Sequence, residues 1–222
     1  MRRRIYLLRH AEVAYVGKDG RPVRPDEATL TPEGEKQAER LAEVLRPVPF
    51  DRAITSGLSR TLETARRILA GRGPAIESWP DLAEIRGGRL RDISPEALEA
   101  ALLGAFRGAA PESARFLGGE SIGELFDRVL PSIQRLIDAR DWDCALAVLH
   151  GGVNRAWLNW ALTGARTFLG HVEQAPGCIN VLDVGEGWVV RTINLRLWDP
   201  LSLDGRETTM ERLYQELRGI PR

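Results

Sequence analysis

Ile5-Tyr6-Leu7-Leu8-Arg9-His10 is a run of four strand-forming apolar residues that stops on a guanidinium and an imidazole. A short continuous apolar run with no polar residue interleaved belongs to a strand covered on both faces. Asp143 to Leu149 repeats the pattern and stops on His150, which Gly151-Gly152 follows. In open α/β sheets ligands collect beyond the carboxyl ends of the strands. His10 and His150, though far apart in the chain, can therefore share one site.

The flanking sequence supplies the rest of such a sheet. Thr31-Pro32-Glu33 gives a helix its N-cap, first-turn proline and first-turn acid, and Ala38, Leu41, Ala42 and Leu45 give it one buried face until Pro47. Phe50 to Thr55 reads as a strand, Ser59 to Ala70 as a helix closed by Gly71, and Ala75 to Trp79 as a third strand. Ser94-Pro95 opens a further helix. Ser121-Ile122-Gly123-Glu124 is a capping box for another that runs to about Arg140, with Pro131 expected to kink it. A helix follows His150 to about Leu162. Cys178 to Val184 and Trp188 to Leu195 form a hairpin around Gly185-Glu186-Gly187, and Thr208 to Leu217 is an amphipathic tail helix. With no repeat and no break in composition, the expectation is one α/β domain over residues 1–222, with 200–222 as a helical extension. Its fold class is a three-layer sandwich, a mostly parallel central sheet with helices on both faces.

Composition narrows the function classes. The chain has 222 residues, 43% of them apolar, which is enough for a substantial core and excludes a disordered or disulfide-stapled protein. Thirty-one basic and 31 acidic residues cancel, so no global field holds nucleic acid or an anionic membrane, and an anion must be met by a local site. Only Lys18 and Lys36 are lysines, so an arginine is informative only through its neighbours. Cys144 and Cys178 lie in apolar runs and read as small buried hydrophobes of a reducing compartment, with no metal-ligand spacing. The basic start Met1 to Arg4 is followed by too short an apolar stretch for an export signal, and no run reaches the roughly 20 apolar residues of a membrane span. A cytoplasmic protein is expected, with no cofactor and no metal.

Both histidines have neighbours suited to an oxyanion. Arg9 offers a planar fork of donors beside His10, and Gly151-Gly152 can bring backbone N–H groups and a helix N-terminus close to an anion. Arg60, in the first turn of the helix after Ser56-Gly57-Leu58-Ser59, opposes the helix dipole at a cost of roughly 0.5 kcal/mol that an anion would offset. Taken singly, Arg9 and Arg60 read equally as solvated side chains, Gly151-Gly152 as a tight turn and Ser59 as an N-cap.

Taken in order, these segments resemble the histidine phosphatase superfamily, in the branch of the cofactor-dependent phosphoglycerate mutases. The resemblance is carried by Leu8-Arg9-His10-Ala11-Glu12, Leu30-Thr31-Pro32-Glu33-Gly34 with Gln37-Ala38, and Ser56-x-Leu58-x-Arg60 with Thr64-Ala65. Leu82-Ala83-Glu84-Ile85, Gly119-Glu120-Ser121 and His150-Gly151-Gly152 complete it. It implies that His10 is the nucleophile that takes the phosphoryl group. Arg9, Arg60 and a protonated His150, with Gly151, clamp the phosphate oxygens, and Glu84 protonates the leaving oxygen and later activates water. Glu77, Asp81 and Asp92 lie near enough to compete with Glu84 for the last role. The family's usual Gly, Thr and Asn after the histidine are Ala11, Val13 and Val16 here, which implies lost hydrogen bonds at the rim. The stretch Ile85 to Leu90 lacks the aromatic residue with which the mutases grip phosphoglycerate, which argues for hydrolysis of a small phosphomonoester. Arg86, Arg89 or the loop from Tyr15 to Arg24 would select it.

Three alternatives stand beside this reading. The first is mutase-type phosphoryl transfer. The second is a non-catalytic binder of a phosphorylated ligand, with Trp157 and Trp160 on a homodimer face or, more simply, in the core. The third is a serine α/β-hydrolase built on Gly119-Glu120-Ser121-Ile122-Gly123, although no buried strand precedes that serine. A homodimer is left open. His171, in a polar loop, reads as a surface residue.

Overall fold

Alternation along β1 (Arg3–Arg9) sends Ile5 and Leu7 to one face of a sheet and Leu8 to the other, all without solvent exposure. This two-sided burial organises the whole structure, a computed structural model that describes residues 1–17, 21, 23–203 and 205–219. The chain continues through α1 (Pro32–Leu45), β2 (Arg52–Thr55), α2 (Ser59–Leu69), β3 (Ile76–Ser78), α3 (Leu98–Leu103) and β4 (Ala109–Ala110). It then forms α4 (Ile122–Asp138), β5 (Cys144–Leu149), α5 (Gly151–Thr163), β6 (Phe168–Leu169), β7 (Ile179–Val184), β8 (Trp188–Leu195) and α6 (Thr209–Arg218).

The six-stranded sheet has the order β3-β2-β5-β1-β7-β8. β3, β2, β5 and β1 are parallel, and β7 and β8 return antiparallel as the expected hairpin. α1 and α2 cover one face through Leu41, Leu45, Ala65, Ile68 and Leu69, which pack on Leu8, Ala53, Leu146 and Val148. α4 and α5 cover the other through Ile122, Leu125, Phe126, Val153 and Trp157, which pack on Ile5, Leu7, Ala147 and Leu149. The α/β three-layer sandwich expected from the sequence is therefore the observed fold. β4 and β6 form a separate two-stranded sheet. α3 and α6 pack together through Leu98, Leu102, Leu103 and Leu217.

Local chemistry explains most boundaries. Thr31 accepts from the Gly34 N–H to start α1, and Ser121 and Glu124 form the reciprocal capping box of α4. The serine of the Gly-x-Ser-x-Gly match is thus an N-cap. α4 runs on through Pro131, because Val129, Ser132 and Ile133 on its buried face anchor both sides of that residue. Four readings shift. Residues 95–97 form a turn and α3 starts only at Leu98; Phe50 lies before β2 and packs edge-on against Tyr6. Ser59 is the first residue of α2 rather than its cap, since Leu58 holds that position with no side-chain bond. Cys144 is half-buried at the start of β5, where Cys178 alone is fully buried. Burial pushes their thiols up to about 11 and about 12, so neither is a thiolate nucleophile at neutral pH. Trp157 is in the core, and half-buried Trp160 stacks edge-on against Trp188. Among the described residues no helix is long and apolar enough to cross a membrane.

Candidate active site

Sheet register brings the two histidines together. Arg9 is paired with Leu149 across β1 and β5, and Thr55 with Val148 across β2 and β5. The next residues along these parallel strands are His10, His150 and Ser56, all at one sheet edge. The imidazoles meet edge-on with ring centroids 5.3 Å apart. Ser56 Oγ lies 2.7 Å from His150 Nε2.

His10 Nδ1 donates to the carbonyl of Ala11 at 2.8 Å, which selects the tautomer whose Nε2 carries the lone pair. That Nε2 is buried and has no protein hydrogen-bond partner, as are the His150 Nδ1 and the Nε atoms of Arg9 and Arg60. Four orphaned polar atoms on these four residues mark a place built for a polar group the protein does not itself provide. Burial, with Arg60 and Arg9 close by, holds both imidazoles well below the usual histidine range. The charged His150 of the sequence reading is thus not what the protein's own groups favour: desolvation and two guanidiniums oppose a third positive charge. Nor are the imidazoles open to solvent, since His10 is 1% and His150 0% exposed. An Arg60 guanidinium nitrogen donates to the carbonyl of Pro25, which draws the turn at 25–27 to the site.

The loop after His10 is pinned by the motif residues downstream. Ala11 N–H donates to Thr64 Oγ at 3.1 Å, Glu12 N–H to Gln37 Oε1 at 2.9 Å, and Thr31 Oγ to Glu12 Oε1 at 2.8 Å. Arg9 donates to the carbonyl of Gln174 at 2.6 Å, and Gln174 is locked to buried Asn180 by paired amide bonds of 2.9 and 2.8 Å. Neither amide was legible as a site residue, because each sits in an unremarkable stretch near the hairpin.

Glu84 reaches the same edge from the segment after β3. Its carboxylate accepts from Gly152 N–H at 3.0 and 3.2 Å and from its neighbour Ile85 N–H at 2.9 Å. A Cβ on residue 152 would lie 2.6 Å from Glu84 Oε1, so any larger residue there would push the carboxylate from this position. The Gly152 N–H is consequently engaged with Glu84, and only Gly151 lies beside Arg9. The segment itself is held by Arg128, which donates to the carbonyls of Asp81, Ala83 and Glu84 at 2.7, 2.6 and 3.1 Å. Glu120 clamps Arg128 with two bonds of 2.7 and 2.8 Å and also accepts from Arg86 N–H, and this pairing keeps its carboxyl below the usual range despite burial. Glu77 is occupied elsewhere, by Arg52 and the Trp79 indole. Asp81 and Asp92 do not line the cleft.

Arg9, Arg60, Glu84 and Gly151 open onto one cleft of about 660 Å³. Arg86 also lines it. Arg89 does not, and part of the loop from Tyr15 to Arg24 lies outside the described residues. His171 is exposed, as expected.

The histidine phosphatase superfamily (branch 1) matches residues 5–196 of the chain. An adenosylcobalamin/alpha-ribazole phosphatase of Salmonella typhimurium is 32% identical over 212 residues, 89% of this chain and 99% of that protein. A 2,3-bisphosphoglycerate-dependent phosphoglycerate mutase of Cytophaga hutchinsonii is 35% identical over 157 residues, 67% of this chain and 72% of the mutase. Among solved structures, the alpha-ribazole phosphatase of Shigella flexneri superposes with a TM-score of 0.67 at 25% identity, covering 87% of this chain and 96% of the other.

Proposed function

Because the chain belongs to the histidine phosphatase superfamily and is a phosphatase of a small phosphorylated metabolite, we propose that His10 carries the phosphoryl group between ester and water. The observation that carries this reading is the orphaned, buried His10 Nε2, its tautomer set by the Ala11 carbonyl, among Arg9, Arg60 and His150.

The His10 Nε2 lone pair attacks phosphorus in line, the N–P bond forms, and the P–O ester bond breaks with Glu84 delivering a proton to the leaving oxygen. Water then attacks phosphohistidine, Glu84 takes its proton back, and the N–P bond breaks to release phosphate. The transition state spreads charge over three oxygens. Arg9 and Arg60 meet them, with the Gly151 backbone alongside, and the dianion replaces Pro25 as a partner of Arg60. A proton on His150 becomes favourable only once that negative charge is present, which gives the imidazole a stronger grip on phosphate than on the neutral pocket. The charges supplied by arginine make a metal unnecessary in this scheme.

Of the activities named for the relatives, alpha-ribazole phosphatase is the one we carry over, since that match runs through 89% of the chain. The mutase match covers 67%, and the residues after Glu84 offer no aromatic grip for a retained intermediate. Turnover of alpha-ribazole phosphate and other phosphomonoesters, followed as released phosphate, tests the reading. His10→Ala is expected to lower kcat by about 10⁴-fold and to abolish an acid-labile phosphoenzyme in rapid-quench labelling, with chelator leaving the wild-type rate unchanged. Full activity in that variant would end the proposal.

A further inference from the structure

Ser56, just after β2, and Thr61, in the first turn of α2, are both buried, at 4% and 0% exposure. Their hydroxyls form a chain whose direction the structure fixes. The Leu58 carbonyl can only accept, so the Thr61 hydroxyl donates to it at 2.8 Å. Thr61 has no second proton to give. In the 3.1 Å contact between the two hydroxyls, Ser56 is therefore the donor. That commits the single hydroxyl proton of Ser56, whose Oγ accepts from the Leu58 N–H at 3.4 Å and lies 2.7 Å from His150 Nε2. Two lone pairs do not face each other at that distance, so Nε2 carries the hydrogen and donates to Ser56.

The consequence falls on the other ring nitrogen. A neutral imidazole has one N–H, so His150 Nδ1 holds a lone pair, and that atom is buried without a protein partner. His10 also presents a lone pair, from Nε2, because its Nδ1 donates to the Ala11 carbonyl. A dianion offers only lone pairs. His10 Nε2 is the attacking atom and needs no hydrogen, whereas His150 Nδ1 repels an anionic oxygen until a proton lies between them. Around His150 stand Arg60, His10, Arg9 and Arg128, all opposing a proton in the free protein, and the Glu84 carboxylate on the Gly152 N–H.

We propose that Ser56, oriented by Thr61, is a positioning residue that keeps the hydrogen of His150 on Nε2, so that each tetrahedral dianion entering the pocket draws one proton from solvent onto Nδ1. Neutral His150, the dianion and one proton become an imidazolium beside a dianion, with Nε2–H on Ser56 and Nδ1–H on the anion. No bond to phosphorus changes, and the step precedes attack by His10. The hydrogen could reach Nδ1 without any uptake only if it left Nε2, and the Ser56 hydroxyl would then have to turn to Nε2 and give up its bond to Thr61. The proposal rests on the phosphatase reading for its anion.

Sulfate is the probe, a tetrahedral dianion that neither titrates nor reacts between pH 7 and 8. Titration calorimetry of the wild-type chain in buffers of different ionisation heat should show uptake of about one proton per sulfate. The Kd should accordingly rise about tenfold from pH 7 to 8. Nitrogen-15 NMR of the free protein should find His150 Nε2 protonated and Nδ1 bare, and both protonated with sulfate bound, the signals being identified by their loss in His150→Asn. Thr61→Val removes the acceptor of the Ser56 proton and frees that hydroxyl to donate to Nε2. Uptake should then fall below about half a proton, and the pH effect on Kd to about threefold or less. Ser56→Ala, checked by its melting temperature, should act in the same direction. A merely structural role for the pair would weaken binding equally at both pH values and leave the uptake at one. Nδ1 protonated in the free wild-type chain, binding without uptake, or an uptake that survives both substitutions would overturn the proposal. Failure of sulfate and of every phosphomonoester to bind defeats the phosphatase reading instead, while the tautomer of the free protein still decides the role of Ser56.

Discussion

The two ends of the cleft are built in opposite ways. At the phosphate end, His10, His150 and Arg60 are buried, and each side chain is held by a hydrogen bond, to the Ala11 carbonyl, to Ser56 Oγ and to the Pro25 carbonyl. At the far end, the walls come from a helix and loops that touch the sheet little and present half-buried Phe116, Met210 and Leu213. Chemistry that must hold charge without water needs the first kind of construction, because an orphaned donor in a loose site would be solvated and lose its advantage. An apolar wall needs only shape and area, which a peripheral helix supplies.

The sharpest way to break this contrast is to remove charge from the buried end. Arg60→Ala should lower kcat/KM by about 10³-fold, about 4 kcal/mol, for every phosphomonoester alike. An effect confined to one ester would move Arg60 from the common chemistry to selection. Next in size is Arg128→Met, which frees the 81–84 segment without touching the cleft. It should reduce kcat by about 30-fold, with KM within about twofold. Arg128→Lys, which cannot reproduce the fork to Glu120, should recover only part of this. An unchanged kcat would show that Glu84 is held well enough by Gly152 and Ile85.

The smallest effect concerns stability. His10 and His150 have folded-state affinities for protons well below those of an unfolded chain. Between the unfolded value near pH 6.5 and the lower folded values, the unfolded chain binds more protons, so stability falls as pH falls. The contribution is at most about 1.4 kcal/mol per pH unit for each imidazole. Denaturant unfolding from pH 7 to 5 should show this loss, His150→Asn should remove part of it, and saturating phosphate should reduce it. A slope unaffected by His150→Asn would place the acid sensitivity elsewhere.

Much of this was legible in the sequence. The apolar runs ending at His10 and His150 are local signals, as are the caps at Thr31 and Ser121, and each predicts its element without knowledge of the fold. Glu84 was separable from Glu77 only by its motif; in the structure Glu77 is bound to Arg52 and Trp79. The helix from Ser59 was legible, but the start of α3 was read too early: Ser94 Oγ accepts from the Ala97 N–H as a cap would, yet residues 95–97 form only a turn and the helix begins at Leu98.

What the sequence determined by itself is the order of the main strands and helices, though not the short β4 and β6 pair, and the residues that could carry a phosphoryl group, because periodicity, capping and strand ends are encoded within a few neighbouring positions. Only the tertiary structure decided that Arg128 and Glu120 hold the Glu84 segment, that Gln174 and Asn180 hold Arg9, that His150 is neutral among protein groups, and that α6 walls the cleft. Each of these depends on groups distant in the chain meeting at a particular distance in a particular dielectric, and no local pattern of residues contains that information.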